Sequence, residues 1–185
     1  MEINEKSIKA AFAAAKSEET KQVLVALFGK QEHDYRDIKT YEDACEFLGI
    51  APMDPEDAEI MSTDEVAYIK IKTIAKALRG GEEVDLTDLD RYLWYPWFYL
   101  WTQEEIDNMS EKQKERITPL CCLLGGLALS GASAGFGYLS ASDRPAYASA
   151  HFGARLCQYK EEIADYFGMQ FKQLWFDYLL SGCKL

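Results

Sequence analysis

Between residues 92 and 101 the chain reads YLWYPWFYLW, with an aromatic or leucine side chain at every position except Pro96. If this segment is extended it has no polar face. Alternation places Leu93, Tyr95, Trp97, Tyr99 and Trp101 on one side and Tyr92, Trp94, Phe98 and Leu100 on the other. The density of β-prone residues predicts a strand, and Pro96 predicts that it lies at a sheet edge or a bulge. One face can pack on its own domain. The other is either covered as well or meets a partner, which makes Trp94, Trp97, Phe98, Tyr99 and Trp101 the expected interface residues.

Around this strand the hydrophobic period lengthens to that of helices. Ser17 is placed to cap a helix through KQVLVALF that ends at Gly29, and Thr40 with Asp43 starts a short helix that Gly49 stops. Residues 49–61, with Pro52 and Pro55, read as a loop. Ser62 and Glu65 open a longer helix whose apolar positions Ala67, Ile71, Ile74, Ala75 and Leu78 recur at helical spacing until Gly80 and Gly81. Its cations Lys70, Lys72, Lys76 and Arg79 read as a solvated face, favoured near a helix C-terminus by the macrodipole.

After the aromatic strand, Thr102 with Glu105 predicts a helix through NMSEKQKE. Further strands are expected in ITPLCCLL, GFGYLSA and GARLCQ, joined in sequence as an antiparallel sheet. A single helix over residues 159–180 carries Ile163, Ala164, Phe167, Phe171, Leu174, Trp175, Tyr178 and Leu179 on one stripe and should cover that sheet. The pattern predicts the α+β class: a helical N-terminal part, residues 1–50, then a small antiparallel sheet packed against helices, including a long C-terminal one, in residues 51–185. The two parts can equally form one continuous domain.

Charge and composition narrow the chemistry. The chain has 185 residues, 48% of them hydrophobic, and a formal net charge of -11 with an isoelectric point near 4.7. Nucleic-acid binding through a broad basic surface is therefore not expected, because neutralising phosphates needs clustered Lys and Arg. An acidic surface that mimics DNA remains an alternative. The five cysteines, Cys45, Cys121, Cys122, Cys157 and Cys183, form no CxxC pair and have no histidine at ligand spacing, so reduced and mostly buried thiols are expected and no metal. No cofactor motif is present either. The first residues lack the charged-then-apolar layout of a cleaved signal. Residues 117–142 carry no charge, but only 120–129 are strongly apolar and SGASAGFG suits a connection better than a lipid-exposed helix, so no membrane span is expected.

Groups able to do catalysis are scarce. The two histidines, His33 and His151, both fall in expected loops. Ser130, Ser133, Ser140 and Ser142 lie in no GxSxG setting. His151 and Cys157 are close enough in sequence to consider as a nucleophilic pair, against the plainer reading of Cys157 as a buried structural thiol. Asp85, Asp88 and Asp90 do not have EF-hand spacing and read as a solvated turn. No catalytic residue is assigned.

The segments IKTYEDACEFLGI, YIKIKTIAKALRGG, YPWF and GARLCQYKEEIADYFGMQFKQLWFDYLL, in this order, resemble an uncharacterised protein family of Bacteroides-type phages, prophages and related gut bacterial genomes. The resemblance spans residues 38–180. It implies a phage or mobile-element setting, in the cytoplasm of a bacterial host or associated with a virion, and it carries no activity, since the family has no established function. This chain departs from the family pattern between YPWF and RLC, where it is long and apolar. The functional expectation is a non-enzymatic structural or protein-interaction module that self-associates or binds another protein through the aromatic strand and the neighbouring apolar segment. A small enzyme with its site near that strand, His151 and Arg155 is the alternative.

Overall fold

Local capping decides where the helices begin. In the computed structural model, which describes residues 17–28, 34–87, 91–119, 135–145 and 153–183 with positions 8, 11, 14 and 15 before them, α1 spans Glu18–Phe28 and the Ser17 hydroxyl accepts from the Thr20 amide at 3.2 Å. Helix α2, Tyr41–Leu48, starts at a capping box: Thr40 Oγ1 accepts from the Asp43 amide while Asp43 accepts from the Lys39 and Thr40 amides at 2.9 and 2.8 Å. It ends at Gly49, whose φ of 66° is the left-handed turn that glycine adopts without strain.

The bond from the Lys39 amide above all holds the Asp43 carboxyl below its ordinary range, against the opposing cost of burial and helped by the bonds from Thr40. A depressed carboxylate stabilises the fold above its unfolded pKa and loses that contribution as pH falls through the folded value. Replacing Asp43 by asparagine should therefore cost about 0.5–1 kcal/mol at neutral pH. Urea titrations of both proteins should show the difference shrinking below about pH 4; a constant difference would contradict it.

Residues 49–61 are not all loop. Asp54 accepts from the Glu56 amide and Pro55 opens the short helix α3, Pro55–Glu59, because a proline at the first helical position sacrifices no hydrogen bond. Helix α4, Thr63–Leu78, is the centre of the fold and buries Ala67, Ile71, Ile74, Ala75, Ala77 and Leu78. Ile38, Tyr41, Ala44 and Cys45 sit in the same buried cluster, so α2 belongs to this core.

Strand β1, Tyr92–Trp101, is followed by two short helices rather than one: α5, Gln103–Asp107, and α6, Glu111–Lys114. A second capping box at Ser110 and Gln113 restarts the chain after Asn108. Strand β2 covers Ile117–Pro119 and β3 covers Gly135–Pro145; the rest of ITPLCCLL lies outside the described residues. The sheet is antiparallel with order β1-β3-β2, so the last strand in sequence is the middle one. Its register against β1 shifts between Trp97 and Phe98, next to Pro96, as expected of a proline-bearing edge strand.

GARLCQ is not a strand. Ala154–Leu156 form a 3₁₀ turn, and the carbonyls of Arg155 and Cys157 accept from Arg79 Nη1 at 3.0 and 2.6 Å instead of from a neighbouring strand. Arg79 Nε also donates to the Glu82 carbonyl at 3.2 Å, so this cation is 7% exposed and does not belong to a solvated face. Only Gln158 joins the sheet, through a two-bond bridge with Trp94. Lys76, by contrast, stays outside and pairs with Glu83.

The C-terminal stripe is a broken helix, α7 at Glu161–Gln170 and α8 at Lys172–Leu180. The break has a side-chain cause. The Trp175 indole donates to the Phe167 carbonyl at 3.3 Å, the acceptor that the amide of residue 171 would use in a continuous helix. Helix α7 packs on β1 and β3, and α8 on α4. The architecture is α+β, a three-stranded antiparallel sheet packed against helices.

Candidate functional site

The two faces of β1 are treated differently along its length. In the first half Leu93 and Tyr95 pack with Val84, Ala154, Cys157 and Tyr159, Pro96 is fully buried and Trp94 half-buried, and only the terminal Tyr92, 53% exposed, faces water. In the second half the inner face enters the main core, where Phe98 stacks on Phe136 with ring centroids 4.9 Å apart and planes 10° apart, and meets Trp175 at 5.3 Å. Leu100 packs against the same cluster. The outer face of this half carries Trp97, 41% exposed, Tyr99, 45% exposed, and the half-buried Trp101.

Register shows what packs on the outer face of this half. Tyr99 lies opposite Gly137 and Trp101 opposite Gly135, and directly opposed residues share a face. A Cβ on Gly135 would lie 2.6 Å from Ile117 Cγ2 and 2.9 Å from Ile106 Cδ1; one on Gly137 would lie 2.9 Å from Ile117 Cγ1 and 3.0 Å from the Arg116 carbonyl. The glycines thus let Ile117 of β2 and Ile106 of α5 pack on this same outer face beside Tyr99 and Trp101, while Trp97 and Tyr99 keep access to water. Gly137→Ala should cost about 1–3 kcal/mol, because the clash includes backbone atoms that cannot rotate away. Urea unfolding checks it, and an unchanged midpoint would contradict the close approach of Ile117.

The rings are tilted rather than coplanar. Tyr99 and Trp101 have centroids 4.6 Å apart and planes 59° apart, and Tyr95 and Trp97 stand at 6.4 Å and 51°. A ladder of this kind offers edges and notches, unlike the flat platform on which bases or sugars stack. The indole N–H of Trp101 is buried and has no hydrogen-bond partner among the described residues.

Of the five expected interface residues, β1 thus places Trp97, Tyr99 and Trp101 together on the outer face. Phe98 packs, partly buried, against the main core, and Trp94 is half-buried at the Gln158 bridge. The packing beside these rings depends on Gly135, Gly137, Ile106 and Ile117, none of which the sequence pattern singles out. Paired glycines two residues apart in an aromatic strand were the available signal.

Other chemistry is thin. Burial pushes the Cys157 thiol up to about 11, with Arg79 opposing, so at neutral pH it is protonated and unsuited to nucleophilic attack. His33, His151, Cys121, Cys122, Asp88, Asp90, Ser130 and Ser133 lie outside the described residues. Asp85 closes a turn by accepting from the Thr87 amide and hydroxyl. Cys45 is buried and Cys183 is exposed. A hollow of about 260 Å³ between Met61, Val66, Lys70, Leu174 and Asp177 falls below the usual size of a ligand pocket, which starts at about 300 Å³. No described helix is long and apolar enough to cross a membrane.

No protein-family model, no curated protein and no solved structure matches the chain.

Proposed function

We propose that this chain is a non-enzymatic protein-interaction module of phage or mobile-element origin, and that it docks another protein on the outer face of its sheet. The observation that carries the reading is the exposure of Trp97 and Tyr99 in a strand whose remaining aromatic and leucine side chains, Tyr92 apart, are buried or half-buried. Tryptophan and tyrosine dominate the energetics of protein interfaces, since they contribute large area at small entropic cost. The sheet holds these two in place beside the isoleucines that pack over Gly135 and Gly137. The net charge of -11 favours a different protein over a second copy, because two such chains repel.

The double variant W97S/Y99S tests this. The substitutions remove two exposed side chains and should cost about 1 kcal/mol of stability or less. Loss of two anchors should weaken partner binding by at least about thirtyfold. Affinity capture from source cells, with native and variant proteins compared by quantitative mass spectrometry, should recover a protein that the folded variant fails to retain. An identical captured set would count against the docking surface.

A further inference from the structure

We propose that the hollow between α3, α4 and α8 binds a free α-amino acid with a branched aliphatic side chain; none of its lining residues belongs to the sheet. Helical spacing builds the site. Val66, Ala67 and Lys70 share one face of α4, as Leu174 and Asp177 do on α8, while Ala58 closes it from α3 and Met61 from the turn that follows. The space of about 260 Å³ is too small for a cofactor, yet far above the roughly 10–15 Å³ that one water needs. It suits a group of a few carbon atoms.

The two charged side chains of the hollow are half-buried and of opposite sign, and among the described residues neither forms a salt bridge. Lys70 Nζ lies 5.5 Å from the Tyr41 ring centroid. Asp177 Oδ1 accepts from the neutral Gln173 Nε2 at 2.8 Å. Burial pushes the Asp177 carboxyl up, against the opposing effects of the Gln173 bond and of Lys70, so its charge is poorly compensated. A ligand cation beside it supplies what Gln173 cannot. An aliphatic acid would answer Lys70 and be repelled by Asp177, and an aliphatic amine would do the reverse. An amino acid answers both, with its carboxylate toward Lys70, its ammonium toward Asp177 and its side chain among Met61, Val66 and Leu174.

Amide NMR titrations with L-leucine, with isocaproate, which is leucine without its amino group, and with isoamylamine, which is leucine without its carboxylate, separate these contributions. L-Leucine should give saturable shifts at Ala58, Val66 and Asp177 with a dissociation constant of about 1 mM or lower, and each analogue should bind at least about tenfold more weakly. Asp177→Asn keeps the shape and an acceptor for Gln173, and Lys70→Gln removes the cation; each folded variant should lose about fivefold or more in leucine affinity. Ala58→Leu fills the hollow and should abolish binding. No saturable shift up to about 10 mM would overturn the site. So would equal affinity for leucine and either analogue, unchanged affinity in either charge variant, or binding that survives Ala58→Leu.

Discussion

Replacing Trp175 by alanine should destabilise the protein by about 3–5 kcal/mol, the largest loss expected from any single core substitution here. The side chain is fully buried and meets Phe167, Phe98 and Tyr178 at centroid distances of 5.0, 5.3 and 6.2 Å. It joins the C-terminal helices to the inner face of β1, so the cavity left behind would open between layers that cannot easily collapse together. Trp175→Phe separates packing from hydrogen bonding. Phenylalanine keeps a ring but leaves the Phe167 carbonyl without its indole donor, at a cost of about 1–2 kcal/mol. Urea unfolding followed by circular dichroism gives both values, and an alanine variant within 1 kcal/mol of the native protein would contradict the central placement of this ring, given that core truncations of this size cost about 3 kcal/mol or more.

Arg79→Ala should cost about 3 kcal/mol, by a different mechanism. Burial lowers the guanidinium pKa, and the ionisable Tyr159, Glu83 and Cys157 act in the opposite sense. Among the described residues no carboxylate forms a salt bridge with this guanidinium. It serves three backbone carbonyls, those of Glu82, Arg155 and Cys157, and so ties the turn after α4 to the turn that precedes α7. Alanine would orphan those acceptors. Arg79→Lys keeps the charge, yet a single ammonium lacks the fork needed to reach all three, and it should recover about half of the loss or less. Hydrogen exchange should show the 153–158 segment opening first in both variants. Full stability in Arg79→Ala would mean that the carbonyls are satisfied without it.

These two residues also mark where the sequence stops being legible. Capping boxes at Thr40, Ser62 and Thr102 were readable because both partners lie within three residues. The period of α4 was readable because one face is buried throughout. The break at Phe171 was not, since it depends on an indole reaching back to a carbonyl eight residues away. Nor was the 3₁₀ turn at Ala154–Leu156, whose carbonyls are spoken for by an arginine 76 and 78 residues distant. Arg79 itself looked like the last cation of a solvated stripe because its burial comes from chain that arrives much later.

The aromatic strand shows the same division. Its two-sided apolarity and edge position follow from its own ten residues. Which face is covered at which point does not, because α7 and Phe136 cover one side while Gly135, Gly137 and the isoleucines they admit shape the other. Phe98 and Tyr99 are adjacent and similar in sequence, and only the fold separates a ring packed on the core from an exposed one.

The docking surface is tested most directly by photo-crosslinking in source cells with benzoylphenylalanine placed singly at position 97, at position 99 and, as a control, at position 60, where Ile60 is 84% exposed. The account predicts one discrete heterologous adduct from positions 97 and 99 that is absent from position 60. No adduct from 97 and 99, or the same adducts from all three, would contradict it.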